Sequence, residues 1–127
     1  MNIAELFEHG GKITASQIHD LNTGEYVPHK SFKGVSLKLL AGGNETGHAV
    51  SLHLVRVEPN CCLDTHEHLQ NLEIHKVIHG SGCVVIGDST GEYKAGSIGV
   101  IPMGTSHKVT AGADGIYLLA TFSPALA

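Results

Sequence analysis

Hydrophobic and polar positions along this chain alternate in short runs that turn residues interrupt. Few stretches carry the three-to-four spacing of a helix. The one helical signal is at the start, where Asn2 caps Ala4-Glu5-Leu6-Phe7-Glu8 and Gly10-Gly11 closes it, at most about two turns. Lys12-Ile13-Thr14 and Tyr26-Val27 are short β-like fragments parted by Asn22-Thr23-Gly24, and Pro28 suits an edge strand because it cannot donate to a ladder. Val35-Ser36-Leu37-Lys38-Leu39-Leu40 predicts a strand and Gly42–Gly47 a loop. His48–Glu58 reads as the longest strand, turned by Pro59-Asn60. Further strands are expected at Glu73–His79, Cys83–Ile86, Ser97–Ile101, Lys108–Thr110 and Ile116–Phe122. Gly80 is expected to end the first of these, Asp88-Ser89-Thr90-Gly91 to form a hairpin tip, and Ser123-Pro124 to end regular structure. Roughly eight to ten short strands with evenly spaced turn signals predict an all-β sandwich or barrel.

Composition agrees. Sixteen glycines in 127 residues fit a chain made of turns, and 42% hydrophobic residues suffice for a core. The length suits one domain over residues 1–127, with an N-terminal arm over 1–34 and a barrel core over 35–123. Val84-Val85-Ile86 is apolar on both faces, so one face is expected inside the barrel and the other against a second layer. A second subunit would supply that layer, and a homodimer is the expected assembly.

Charge narrows the partners. Eight Lys and Arg against twelve Asp and Glu give a net charge of −4, with Arg56 the only arginine. No basic face is available to neutralise phosphates, which argues against nucleic acid. No apolar run approaches the roughly 20 residues of a membrane span, and the N-terminal residues lack the basic start and apolar core of a signal peptide. A soluble, cytoplasmic protein is the expectation. Cys61, Cys62 and Cys83 are an odd number without a C-x-x-C pair, so no disulfide framework is expected. Cys61 and Cys62 read as small buried residues in preference to soft ligands.

The ten histidines change the picture most. His9, His19 and His29 lie among polar residues and read as surface, whereas His66-x-His68 does not. On a strand, side chains two apart share a face, so His66 and His68 point the same way. Four residues make a turn, and Glu73 then returns a carboxylate to the same point. A second block runs from Gly96 through Pro102-Met103-Gly104 to His107, a third imidazole beside turn chemistry. Three neutral imidazoles and one carboxylate suit a divalent iron, manganese, nickel, cobalt or zinc ion.

These two blocks resemble the signature motifs of the cupin superfamily, in which two His, one Glu and a later His hold a metal inside a β-barrel. His66, His68, Glu73, Gly80, Gly96, Pro102, Gly104 and His107 fall at the family's spacing. Asn60 stands where the first motif usually begins with Gly, and Ala111 where the second often ends with Asn. Asn also tolerates positive φ, so the turn survives. The resemblance implies a cupin-like jelly roll, or double-stranded β-helix, with one divalent transition metal on His66, His68, Glu73 and His107.

Two more histidines enter on this reading. His75 shares a face with Glu73, either as an acid–base group beside the metal or as a packed core histidine. The position of His53 often lines the pocket in cupins, although packing alone also accounts for it. Arg56, an odd number of residues away, should face outward into a surface or interface ion pair. If the protein is an enzyme, His75 and His53 are its candidate catalytic residues, acting on a small polar metabolite as oxygenase, isomerase or lyase. The alternative is a non-catalytic metal- and small-molecule-binding module or sensor. No cationic residue of the pocket is identifiable from the sequence.

Overall fold

The structure is a computed structural model that describes residues 2–127; Met1, the first residue of the expected arm, lies outside the described residues. Asn2 caps helix α1 (Ile3–His9), its side-chain oxygen accepting from the Glu5 N–H at 2.9 Å. A small hairpin follows, β1 (Gly11–Ile13) paired with β2 (Ile18–Asp20), and then a 3₁₀ turn at Leu21–Thr23. β3 (Val27–Pro28) lies at one edge of the main sheet, where the proline costs no ladder bond.

The main sheet continues with β4 (Val35–Ala41), the single-turn helix α2 (Gly43–Thr46), β5 (Ser51–Val57), β6 (Cys62–His66) and β7 (Leu72–Ile86). β8 (Ser89–Lys94), β9 (Ile98–Ile101) and β10 (His107–Ser123) complete it. The strand order is β3-β4-β5-β10-β7-β8, with β6 paired to β10 and β9 to β7, and these pairings are antiparallel. β7 and β10 run through both halves of the barrel and bind them together. The fold is an all-β jelly roll with a short N-terminal helix, the architecture that the resemblance to the cupins implies.

Several expectations from the sequence are corrected here. Gly42–Gly47 is not loop throughout: Glu45 accepts from the Gly42 N–H at 3.1 Å and Gly47 closes the helical turn in the left-handed region. The strand after it is shorter than His48–Glu58, because Gly47 and His48 both have φ of 64° and cannot extend a ladder. The longest strands are β10 and β7. Gly80 does not end a strand. It has φ of 83° inside β7, and a Cβ there would collide with the Gly115 carbonyl of β10. The register shifts at this point, so Gly80 makes a bend that lets one strand serve both halves. Lys108–Thr110 and Ile116–Phe122 likewise belong to the single strand β10. The hairpin tip is Gly87-Asp88, and Ser89–Thr90 already lie in β8. β8 escaped prediction because Tyr93 is its only buried residue.

The interior divides along its length. One end is apolar, with Val35, Val55, Val57, Leu63, Val77, Val109 and Leu118 packed together. The other end is polar, where Ser51, His53, Glu73, His75 and His107 are all buried. A second apolar cluster, Leu40, Leu54 and Leu119, lies apart from this core, with Leu21, Tyr26 and Leu52 packed against it. In the Val84-Val85-Ile86 run, Val84 is buried and Val85 exposed.

Candidate metal centre

Strand register builds the polar end. His107 at the start of β10 pairs with His66 at the end of β6. Ser51, Phe122, Glu73 and Ile101 form one row across β5, β10, β7 and β9, and His53, Ala120, His75 and Gly99 form the next inward row. The small residues beside His75 give its ring room: a Cβ on Gly99 would collide with the Tyr93 hydroxyl.

His66, His68, Glu73 and His107 each offer a ligand atom, and these four atoms lie within 4.8 Å of one another. His66 reaches the cluster from a strand end. His68 does so from the loop beyond β6, not from the shared strand face expected of it, and its carbonyl accepts from the Gly104 N–H at 2.9 Å. That bond ties the first block of the sequence to the second.

Hydrogen bonds set the ring states. His66 Nδ1 lies 2.7 Å from the Asp64 carbonyl and His107 Nδ1 lies 3.2 Å from the Thr105 carbonyl. A carbonyl only accepts, so each Nδ1 donates, which leaves Nε2 of each ring as the atom that can take a metal. Burial pushes the pKa values of His66 and His68 down, which keeps both rings neutral near pH 7.

The strongest feature is a pair of orphaned atoms. Glu73 Oε1 and His107 Nε2 are buried 3.0 Å apart, and neither has a properly directed hydrogen bond among the described residues. Burial alone would raise the Glu73 pKa, yet His107 and His75 hold it well below the usual carboxylate range. A carboxylate oxygen and a ring nitrogen buried without a directed partner are costly, and a cation between them would satisfy both. The residues therefore fit a divalent metal in donor type, protonation and burial.

His75 is placed differently from the expectation that it reaches a bound substrate. It is fully buried, its Nε2 donating to Glu73 Oε2 at 2.7 Å and its Nδ1 accepting from the Tyr93 hydroxyl at 3.0 Å. Burial and the nearby Glu73 charge push the Tyr93 pKa up to about 12, so the phenol keeps its proton to donate. Both ring nitrogens of His75 have partners, and one of them holds Glu73 Oε2.

His53 is buried with Nε2 3.0 Å from Ser51 Oγ, and its ring meets Phe122 edge-on at 5.3 Å. Phe122 in turn meets His68 at 5.1 Å. His53 also lines a cleft of about 450 Å³ between the β3 arm, β4 and the C-terminal residues. His29 and Lys30 line the same cleft. His29 is thus not a free surface residue: its ring stacks on Phe32 at 4.5 Å, and Phe32 packs near His66. The sequence offered no signal for His29, Lys30 or Tyr93, because each joins the site only through pairing distant along the chain.

Other candidates fall outside the site. Arg56 forms no ion pair within the chain among the described residues; its guanidinium lies 4.2 Å over the Tyr26 ring. Cys61 and Cys62 are half-buried and Cys83 is exposed, and none joins the four-residue cluster.

With the geometry established, comparison with known proteins becomes informative. The family model described as "ChrR Cupin-like domain" matches residues 14–126. No curated protein sequence matches the chain. Among solved structures, KdgF from Halomonas sp. is similar at a TM-score of 0.72 and 18% identity, over 81% of this chain and 90% of that one. A predicted oxalate decarboxylase from Thermotoga maritima is similar at 0.71 and 19%, over 80% and 91%. Bacillus subtilis oxalate decarboxylase, described with Mn(II) centres, is similar at 0.74 and 18%, over 94% of this chain but 32% of its own length. At these identities the likeness shows a shared fold.

Proposed function

This chain belongs to the ChrR cupin-like domain family, and from that premise we propose that it is a metal-dependent enzyme acting on a small polar metabolite, in the oxygenase, isomerase or lyase class. The reading treats residues 1–127 as one cupin domain in the cytoplasm that holds one divalent metal on His66, His68, Glu73 and His107. The observation that carries it is the buried, unpartnered pair Glu73 Oε1 and His107 Nε2. When bound, such an ion supplies Lewis acidity or a coordination site for a second reactant. Around it, His75 and Tyr93 hold the Glu73 carboxylate in one orientation, and Phe122 and Phe32 keep an apolar surround. His53 is the remaining candidate to move a proton, since its pKa is lowered by burial and it faces the cleft. Structural neighbours described as oxalate decarboxylases lend support to a catalytic role.

The native metal is tested by elemental analysis of protein purified without a metal-affinity column, where about one ion per chain is expected. Activity is tested on a panel of keto acids and enediols with oxygen uptake followed. A non-catalytic binding module or sensor is the second reading, favoured by the complete burial of His75. Metal at full occupancy with no turnover across the panel selects it.

We further propose a homodimer. Outer-face residues Ile98 and Val100 of β9 are 58% and 56% exposed, and Val100 stands in register with half-buried Ile74 of β7. This apolar strip is a better candidate for the interface than the single exposed Val85.

A further inference from the structure

The cleft beside the metal cluster has a charge and polarity pattern of its own. Its walls include Leu37, Leu39 and Leu126, and its polar groups include His29, Lys30 and His53. No Asp or Glu lines it, and the Ala127 backbone oxygen at its rim is taken by the Gly43 N–H at 2.7 Å. Lys30 has no ion-pair partner among the described residues.

His29 is locked into one state. Its Nδ1 lies 3.0 Å from the Ser31 N–H and 3.3 Å from the Phe32 N–H. Backbone N–H groups only donate, so Nδ1 accepts and carries no proton. Burial lowers the His29 pKa, so the ring is neutral with its proton on Nε2. The loop 29–32 thus turns an imidazole into a fixed donor, and Lys30, which lines the same cleft, carries an ammonium without an ion-pair partner among the described residues. Two donors, no acidic side chain among the described residues and an apolar wall define the chemistry of the guest.

We propose that this cleft binds a small carboxylate carrying a short branched apolar tail, the carboxylate held by Lys30 Nζ and His29 Nε2–H and the tail by Leu37, Leu39 and Leu126. The inference deepens the function proposed above and rests on it only in taking this guest for the substrate. The two donors act as a clamp that sets which end of the guest lies toward His53.

The test uses the full chain as purified, with 4-methylpentanoate and its uncharged amide as probes and binding followed by NMR titration. Lys30→Met is compared with wild type, and metal content is measured in every sample. The expected result is a preference for the acid of about 10–100-fold, from charge-assisted hydrogen bonds. Lys30→Met should remove most of that preference while its melting temperature and metal content stay at wild-type values, since Lys30 is exposed. His29→Phe should lower the preference further. Equal binding of acid and amide by wild type, or an undiminished preference in Lys30→Met, overturns the inference. One ion per chain without acid preference removes this proposal and leaves the metal centre intact. Acid preference in a chain that takes up no metal upholds the cleft and removes the metal centre.

Discussion

At the scale of single residues, the proposed site separates groups that would face an ion from groups that hold them. His66→Ala and His107→Ala remove proposed ligands whose Nε2 atoms are aimed by carbonyl contacts, so each should lose metal at equilibrium, as a chelator competition will measure. His75→Ala and Tyr93→Phe touch no ligand position, yet both loosen the Glu73 carboxylate. Metal affinity should fall by about 10–100-fold in each, the range found when an outer partner of a ligand is removed. Wild-type affinity in Tyr93→Phe would show that the Tyr93–His75–Glu73 chain does not orient the carboxylate. Because His75 has no free nitrogen, its loss should reduce metal and any turnover together. That differs from a group whose removal spares metal and stops chemistry.

At the scale of elements, β7 and β10 carry the architecture, and the bend at Gly80 is where they must agree. Gly80→Ala places a methyl group against the Gly115 carbonyl and leaves a non-glycine residue at φ of 83°. Gly47 has φ of 64° but open space around it, so Gly47→Ala isolates the conformational cost alone. Urea unfolding should show Gly47→Ala losing about 1 kcal/mol and Gly80→Ala clearly more, about 2–4 kcal/mol with the collision added. Similar losses in the two variants would mean that the β7 bend tolerates a side chain.

At the scale of the whole molecule, folding, metal and protons are linked. His66 and His68 have folded pKa values below the unfolded value near 6.5, so below that pH the unfolded chain takes up protons that the folded site refuses. Glu73 is likewise depressed, so its contribution is complete above about pH 4.5 and lost as pH falls further. Both signs agree: stability should decline below about pH 6.5 and again below about 4.5, with metal released over the upper range. Metal at about a hundred times its dissociation constant should raise the melting temperature by roughly 10 °C at pH 7.5, and a chelator should reverse it. Identical melting curves with and without metal would uncouple the ion from the fold. For assembly, light scattering should give twice the 13.4 kDa chain mass, and Val100→Glu should halve it.

What the sequence determined by itself was local or periodic. Turn residues and short alternation identified an all-β chain, and the spacing of His66, His68, Glu73 and His107 identified residues that do converge, because each block spans only one turn and its flanking strands. The capped helix at Asn2 was legible for the same reason, since its hydrogen bond closes within three residues. Tertiary structure decided everything that depends on distant pairing. Gly80 reads as a stop unless β10 is present to continue the ladder past it, and Ser89–Lys94 has no apolar alternation until Tyr93 finds His75. His29 looked like a surface residue because nothing near it in sequence marks a cleft. Only the packing of the arm against β4 and the C-terminal residues makes one. A side chain's type limits what chemistry it can do, but its burial and partners select among those chemistries, and both are properties of the folded chain.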